Sequence, residues 1–202
     1  MKIENKELTE TLLAPDEPPP YIILNSDAIL PVLLVCDHAS NSFPRSLGTM
    51  GLDYLNRVSH IALDIGAGAV AESLADNLGA TAVLCQYSRL IVDCNRNLID
   101  DSAFLKYSDG VNVPGNHDLQ ESEKEKRASE IYWPYHNSIK DQIVRLKKHG
   151  IDPVVISIHS FTPVINGNDR EWEIGVLWDK DPVTAEIFRS EERRVGKECR
   201  SR

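Results

Sequence analysis

The chain has 202 residues, enough for one domain with a two-sided core and too few for two of ordinary size. Its 42% hydrophobic and 26% charged residues exclude a disordered chain, and no apolar run approaches the roughly 20 residues of a membrane span. A formal charge of -9 argues against nucleic acid as a general partner and leaves a small substrate as the easier one to accommodate.

Residues 1–20 are polar, acidic and proline-rich, ending in Pro18, Pro19 and Pro20, and predict a flexible, extended arm. They lack the apolar stretch of a signal peptide, so a cytoplasmic address is expected. The fold proper is expected over 21–189. PVLLVCDH is a continuous apolar run ending in polar residues, the pattern of a strand buried on both faces with chemistry at its C-terminal end. DIGAGAVAESLADNLGA predicts a small-residue amphipathic helix, with Asp64 placed to cap its start and Gly79 to end it. TAVLCQYSRLIVDCNRN reads as one or two strands, followed by an irregular stretch over 98–116.

The segment from Gln120 to Lys148 has helical periodicity at Ile131, Tyr135, Ile139, Ile143 and Leu146, and Pro134 must kink it or begin a second helix. Within it Tyr132, Trp133 and Tyr135 are expected in the core, and the KEKR run from Lys124 on a solvated face. DPVVISIHSF repeats the first strand's pattern, apolar residues leading into a histidine, and EWEIGVLWD is a further strand candidate. Residues 190–202 (SEERRVGKECRSR) swing to five Lys/Arg against three acids, lack core periodicity, and read as a non-native tail. Alternating strands and helices predict an α/β layered sheet, in which ligands bind beyond the carboxyl ends of the strands. His38 and His159 both fall at such ends. Cys36, Cys85, Cys94 and Cys199 form no CxxC pair and are expected as buried free thiols.

A lone histidine is more often structural than ligating, but two at the ends of buried strands together suggest a metal. Zinc takes neutral imidazoles and carboxylates on rigid elements, and a catalytic site uses three protein ligands plus an open position. Asp64 is the candidate third ligand, with a plain helix cap as its other reading. In SRLIVDCNRN, Arg89 and Arg96 flank Asp93 and Asn95. Planar guanidinium groups grip carboxylates in pairs of bonds, so arginines beside a metal suggest a substrate with a carboxylate at one end and a scissile bond at the other. The competing reading is a salt bridge from Asp93 to either arginine. His60 points toward the site or packs beside it, and His136 makes a second hydrogen-bonding shell or serves the core or surface.

Taken in order, CDHASN, HIALDIGA, YSRLIVDCNRN, PYH, SIHSFTPV and EIGVLWDKD resemble the N-formylglutamate amidohydrolase family from about Pro31 to Arg189. The resemblance implies a three-layer mixed sheet flanked by helices, of the zinc exopeptidase (phosphorylase/hydrolase-like) type related to zinc carboxypeptidases and aspartoacylases. It implies one zinc ion per chain, held by His38 and His159, and a substrate carboxylate held by Asn95 and Arg96. The carboxypeptidase pattern has a glutamate ligand three residues after the early histidine, where this chain has Asn41, a poor zinc ligand. Asp64 is therefore kept as the third ligand, with Asp37 or Asn41 behind it.

The activity implied is hydrolysis of an N-formyl or N-acyl amino acid such as N-formyl-L-glutamate, a step of histidine degradation, with Arg170 stabilising the oxyanion or serving as a surface loop residue. The family's general base resembles a glutamate in a late EIRND-like motif, which this sequence does not reach; Glu171 and Glu173 match an earlier piece. The expectation is a catalytic core cut short, with weak metal binding and little turnover. The rivals are a carboxypeptidase-like peptidase and a non-catalytic carboxylate-binding module.

Overall fold

The computed structural model describes residues 11–165, 168–169 and 173–194, in two units that divide between Ser160 and Phe161. In chain order the first unit has strands Tyr21–Leu24 (β1), Val32–Cys36 (β2), Thr81–Cys85 (β3), Tyr107–Ser108 (β4), Val111–Asn112 (β5) and Val154–Ser157 (β6). Its helices are Tyr54–Arg57 (α1), Ala67–Leu78 (α2), Glu121–Arg127 (α3) and Trp133–Lys148 (α4).

The main sheet has the order β1-β3-β2-β6, with β1 antiparallel to β3 and the other pairs parallel. Because successive strand residues face opposite sides, β2 and β3 feed two cores. Leu33, Val35, Val83 and Cys85 join Ile131 and Tyr135 on one face, while Leu34, Cys36, Ala82 and Leu84 meet Ala67, Ala71 and Ala75 of α2 on the other. The result is a mixed α/β sheet between helical layers, as expected. Only one strand forms from TAVLCQYSRLIVDCNRN: Leu90, Ile91 and Val92 are buried in a turn rather than a ladder. Cys36, Cys85 and Cys94 are buried free thiols as expected, while Cys199 lies outside the described residues.

The start of α2 departs from expectation. Its N-cap is Gly66, at φ 80°, and no side chain caps it. Only the Asp64 backbone oxygen takes the Ala67 amide, leaving its carboxylate to turn elsewhere. Gly68 sets how closely the helix sits on the segment after β2, since a Cβ there would lie 3.0 Å from the Ala39 oxygen. Gly79 ends the helix as expected.

Pro134 lies where a second helix begins, one of the two outcomes expected. One π turn, Ala128–Tyr132, joins α3 to α4, and Pro134 falls in the first turn of α4. The widened turn absorbs the missing amide and the ring's crowding of the preceding carbonyls.

Two expectations for this segment fail. Trp133 is 51% exposed instead of buried. Arg127, the last residue of the KEKR run, is buried, donating to the Ile91 and Gly115 carbonyls and to Asn116 Oδ1. Charge runs are usually solvated, but these acceptors come from two separate turns, at Ile91 and at Gly115–Asn116, which periodicity cannot show.

The arm expected to be loose is held down over 11–20. Glu130 accepts the Leu12 and Leu13 amides, Tyr87 Oη donates to the Pro18 carbonyl, and Arg45 pairs with Asp16. Residues 1–10 lie outside the described residues.

The second unit has a two-strand ladder, Val164–Ile165 (β7) with Asn168–Asp169 (β8), and the helix Pro182–Arg194 (α5). The strand expected in EWEIGVLWD does not form over 173–178. Helix α5 runs across residue 190, where the non-native tail was expected to begin. Among the described residues no helix is long and apolar enough to cross a membrane.

Candidate metal centre

The site lies beyond the C-terminal ends of adjacent parallel strands. Strand β2 leads into Asp37 and His38, and β6 leads into His159. Their register, Val32↔Val154 to Val35↔Ser157, carries on to set Asp37 beside His159. The crossover from β2 to β3 runs through α2 on one face of the sheet and the crossover from β3 to β6 through α4 on the other, and such a divergence opens the crevice where α/β sheets bind ligands. Asp64 comes from the turn before α2, tied to β2 by its amide on the His38 carbonyl at 3.0 Å. Asp93 comes from the turn after β3.

Both imidazoles are wired alike. His38 directs Nε2 at Asp93 Oδ1 at 2.7 Å and Nδ1 toward Asp64 Oδ1 at 3.4 Å. His159 directs Nε2 at Asp37 Oδ2 at 3.1 Å and Nδ1 at Asp64 Oδ2 at 2.7 Å. The ring centroids are 5.1 Å apart. Asp64 thus lies between two Nδ1 atoms, and each Nε2 has a carboxylate of its own. Among the described residues, His38, Asp64 and His159 are the one cluster of three possible metal ligands, with ligand atoms within 4.8 Å of one another.

The donor set fits a divalent cation. An ionised carboxylate only accepts hydrogen bonds, so the Asp93 contact places the His38 proton on Nε2 and leaves the Nδ1 lone pair facing Asp64. That Nδ1 is buried without a hydrogen bond; its 3.4 Å contact with Asp64 lacks the required geometry. An orphaned, inward-facing imidazole nitrogen is costly unless something binds it. A histidine whose other nitrogen is held by a carboxylate is the usual arrangement behind a metal ligand.

Charge points the same way, since Asp37, Asp64 and Asp93 outnumber the single guanidinium of Arg89. Burial alone would raise Asp64, but the hydrogen bond from His159 and the positive charge beside it outweigh that and hold its pKa far below the usual carboxylate range. His159, flanked by Asp37 and Asp64, is raised to about 9 by its hydrogen bonds to both carboxylates.

The second constellation divides. Arg89 makes the internal salt bridge, with Nη2 2.7 Å and Nε 3.2 Å from Asp93 Oδ2 and Nη1 3.5 Å from Asp64 Oδ1. Its donors are spent on the site's own carboxylates. Asn95 and Arg96 are exposed on the following turn, where Asn95 Nδ2 is 3.5 Å from His159 Nε2. The Arg96 guanidinium touches the Asn95 carbonyl at 3.4 Å, and no carboxylate among the described residues pairs with it. Arg170 lies outside the described residues.

Asn41 turns away, donating to the Arg57 carbonyl, and His60 pairs with Asp109 at 2.9 Å. His136 Nε2 bonds the Cys94 carbonyl at 2.9 Å, so it braces the turn that carries Asn95. The parts that sequence reasoning missed are the orienting roles of Asp93 and Asp37 and the hydroxyls of Tyr135 and Ser157 that bond Asp37. The one available signal was that Asp37 and Asp93 stand in apolar surroundings, where a carboxylate needs partners.

A crystal structure of a gene product from Agrobacterium tumefaciens is similar to this chain at TM-score 0.91 and 38% identity, covering 94% of this chain and 75% of that one. The crystal structure of N-formylglutamate amidohydrolase from Ralstonia eutropha JMP134 is similar at TM-score 0.61 and 16% identity, covering 91% and 76%, and at that identity it speaks to the fold alone. No curated protein matches. The profile of N-formylglutamate amidohydrolases matches residues 30–198, most of the chain and all of the site, so the chain belongs to the N-formylglutamate amidohydrolase family.

Proposed function

We propose that the chain hydrolyses the amide bond of an N-formyl or N-acyl amino acid such as N-formyl-L-glutamate, with one zinc ion held by His38, Asp64 and His159. Family membership supports an amidohydrolase, and a sheet with its site beyond adjacent strand ends suits the zinc exopeptidase type of fold. The observation that carries the metal is the buried His38 Nδ1, unbonded and facing Asp64 while its other nitrogen is tied to Asp93.

When bound there, zinc would bring the pKa of a water toward neutrality and polarise the scissile carbonyl. The chain's own residues do the positioning. Asp93 and Asp37 fix the two rings, and Arg89 offsets the charge of Asp93 and Asp64. Exposed beside His159, Arg96 and Asn95 are placed to take the substrate's carboxylate, and the part-exposed edge of Arg89 adds a second positive charge. Stabilisation of the oxyanion is assigned to Arg170.

Metal analysis of the purified protein is expected to find one zinc per chain, lost in His159→Ala. Unchanged metal content in that variant removes the ligand assignment, and this reading does not depend on which residue is the general base. Formate release from N-formyl amino acids, run beside short peptides, separates the amidohydrolase from a carboxypeptidase-like peptidase. Carboxylate binding with neither metal nor turnover would leave a binding module.

A further inference from the structure

Tyr135 is fully buried on α4, where its ring packs in the core as helical spacing suggests. Its hydroxyl does something the spacing does not show, donating to Asp37 Oδ1 at 2.9 Å. The other oxygen, Asp37 Oδ2, accepts from Ser157 Oγ at 3.0 Å and faces His159 Nε2 at 3.1 Å. Ser157 Oγ is itself 3.0 Å from that Nε2.

A carboxylate held at one oxygen cannot turn about its Cβ–Cγ bond without breaking that hydrogen bond. Turning would also carry Oδ2 away from the imidazole. The same end of the helix holds the neighbouring turn: Tyr132 Oη donates to the Arg96 carbonyl at 3.0 Å and His136 Nε2 bonds the Cys94 carbonyl. Positions 132, 135 and 136 share one helical face, so a single packed element fastens both arms of the site.

We infer that Tyr135, with Ser157, is a positioning residue that locks Asp37 so that His159 keeps Nε2 on Asp37 and presents Nδ1 beside Asp64. This rests on the metal reading proposed above. Phenylalanine at 135 keeps the packing and removes only the hydroxyl, leaving a buried carboxylate oxygen without its donor. Partners behind a metal ligand change affinity by about 10- to 100-fold when removed.

The test compares the parent protein with Tyr135→Phe, Ser157→Ala and a control, Tyr87→Phe, which loses the hydroxyl that bonds the Pro18 carbonyl at 2.8 Å. Zinc affinity is measured by competition with a chromophoric chelator, and ligand geometry by the visible absorption of the cobalt(II)-loaded protein. Tyr135→Phe is expected to bind zinc about 10- to 100-fold more weakly with a shifted cobalt band, and Ser157→Ala to follow in the same direction. Tyr87→Phe keeps the parent's affinity and band. Parent-like affinity and band in Tyr135→Phe overturn the inference; if that variant does not fold, a parent-like Ser157→Ala overturns it. Failure of the parent itself to bind zinc or cobalt strikes the metal reading instead, and is told apart by being present before any substitution.

Discussion

The two histidines of the site share one wiring plan and live in different surroundings. His38 follows the central strand β2, its side chain 2% exposed, and its Nε2 partner Asp93 is also held by Arg89 and by the Asn95 amide. His159 follows β6, its side chain 31% exposed, and its Nε2 partner Asp37 is held by two hydroxyls and no guanidinium. Burial makes the first arm expensive to disturb, because no water can replace a lost partner. The second arm opens to solvent, where a substrate and an open coordination position belong.

The sharpest way to break this contrast is to remove the two orienting carboxylates in turn. Asp93→Ala strands the His38 ring and the Arg89 guanidinium together, and losing one side of a buried ion pair costs about 3–5 kcal/mol. Asp37→Ala leaves the Tyr135 hydroxyl without its acceptor, a loss of about 1–3 kcal/mol, while His159 can turn to water. Urea unfolding of the metal-free proteins measures both. An equal or larger loss for Asp37→Ala would show that burial does not set the difference.

Zinc sharpens the comparison from the other side. A ligand that binds only the folded chain stabilises it by about 2.7 kcal/mol at a hundred times its dissociation constant. Zinc is therefore expected to raise the melting temperature, and a chelator to reverse the gain. Asp64→Ala, which removes the carboxylate shared by both Nδ1 atoms, should abolish the shift.

The smallest effect on stability is expected at the rim. Arg96→Ala touches an exposed side chain, so unfolding should change by no more than about 0.5 kcal/mol and zinc content should stay at the parent's level. Its cost should appear in KM for an N-formyl amino acid. A fall in zinc content instead would move Arg96 out of the substrate's path and into the metal's support.

Much of the site was legible in the chain because it grows from strand ends. An apolar run that stops at a histidine marks a strand and the polar group at its tip, and PVLLVCDH and VVISIH each carry that mark, although β6 is an edge strand with no buried residue and not the buried strand expected. Asp64 was legible as one of two things, and only the fold shows Gly66 capping the helix while the carboxylate turns to the rings. Asp93 was legible as a partner for arginine, which it is, but not as the partner of a histidine 55 residues earlier. Arg127 was misread because a run of charges carries no record of the carbonyls packed beneath it.

By itself, then, the sequence determined where the two parallel strands that carry the histidines run, which residue types stand at their tips, and that the chain is an α/β protein, because periodicity and composition act over a few neighbouring residues. The tertiary structure decided which groups face one another. Tyr135 shows the division: its spacing places it on the inner face of a helix, but the acceptor of its hydroxyl lies 98 residues away and is brought there by the crossing of α4 over the sheet. Hydrogen bonds and ion pairs are fixed by distances of a few ångströms in space, and only the folded chain sets those distances.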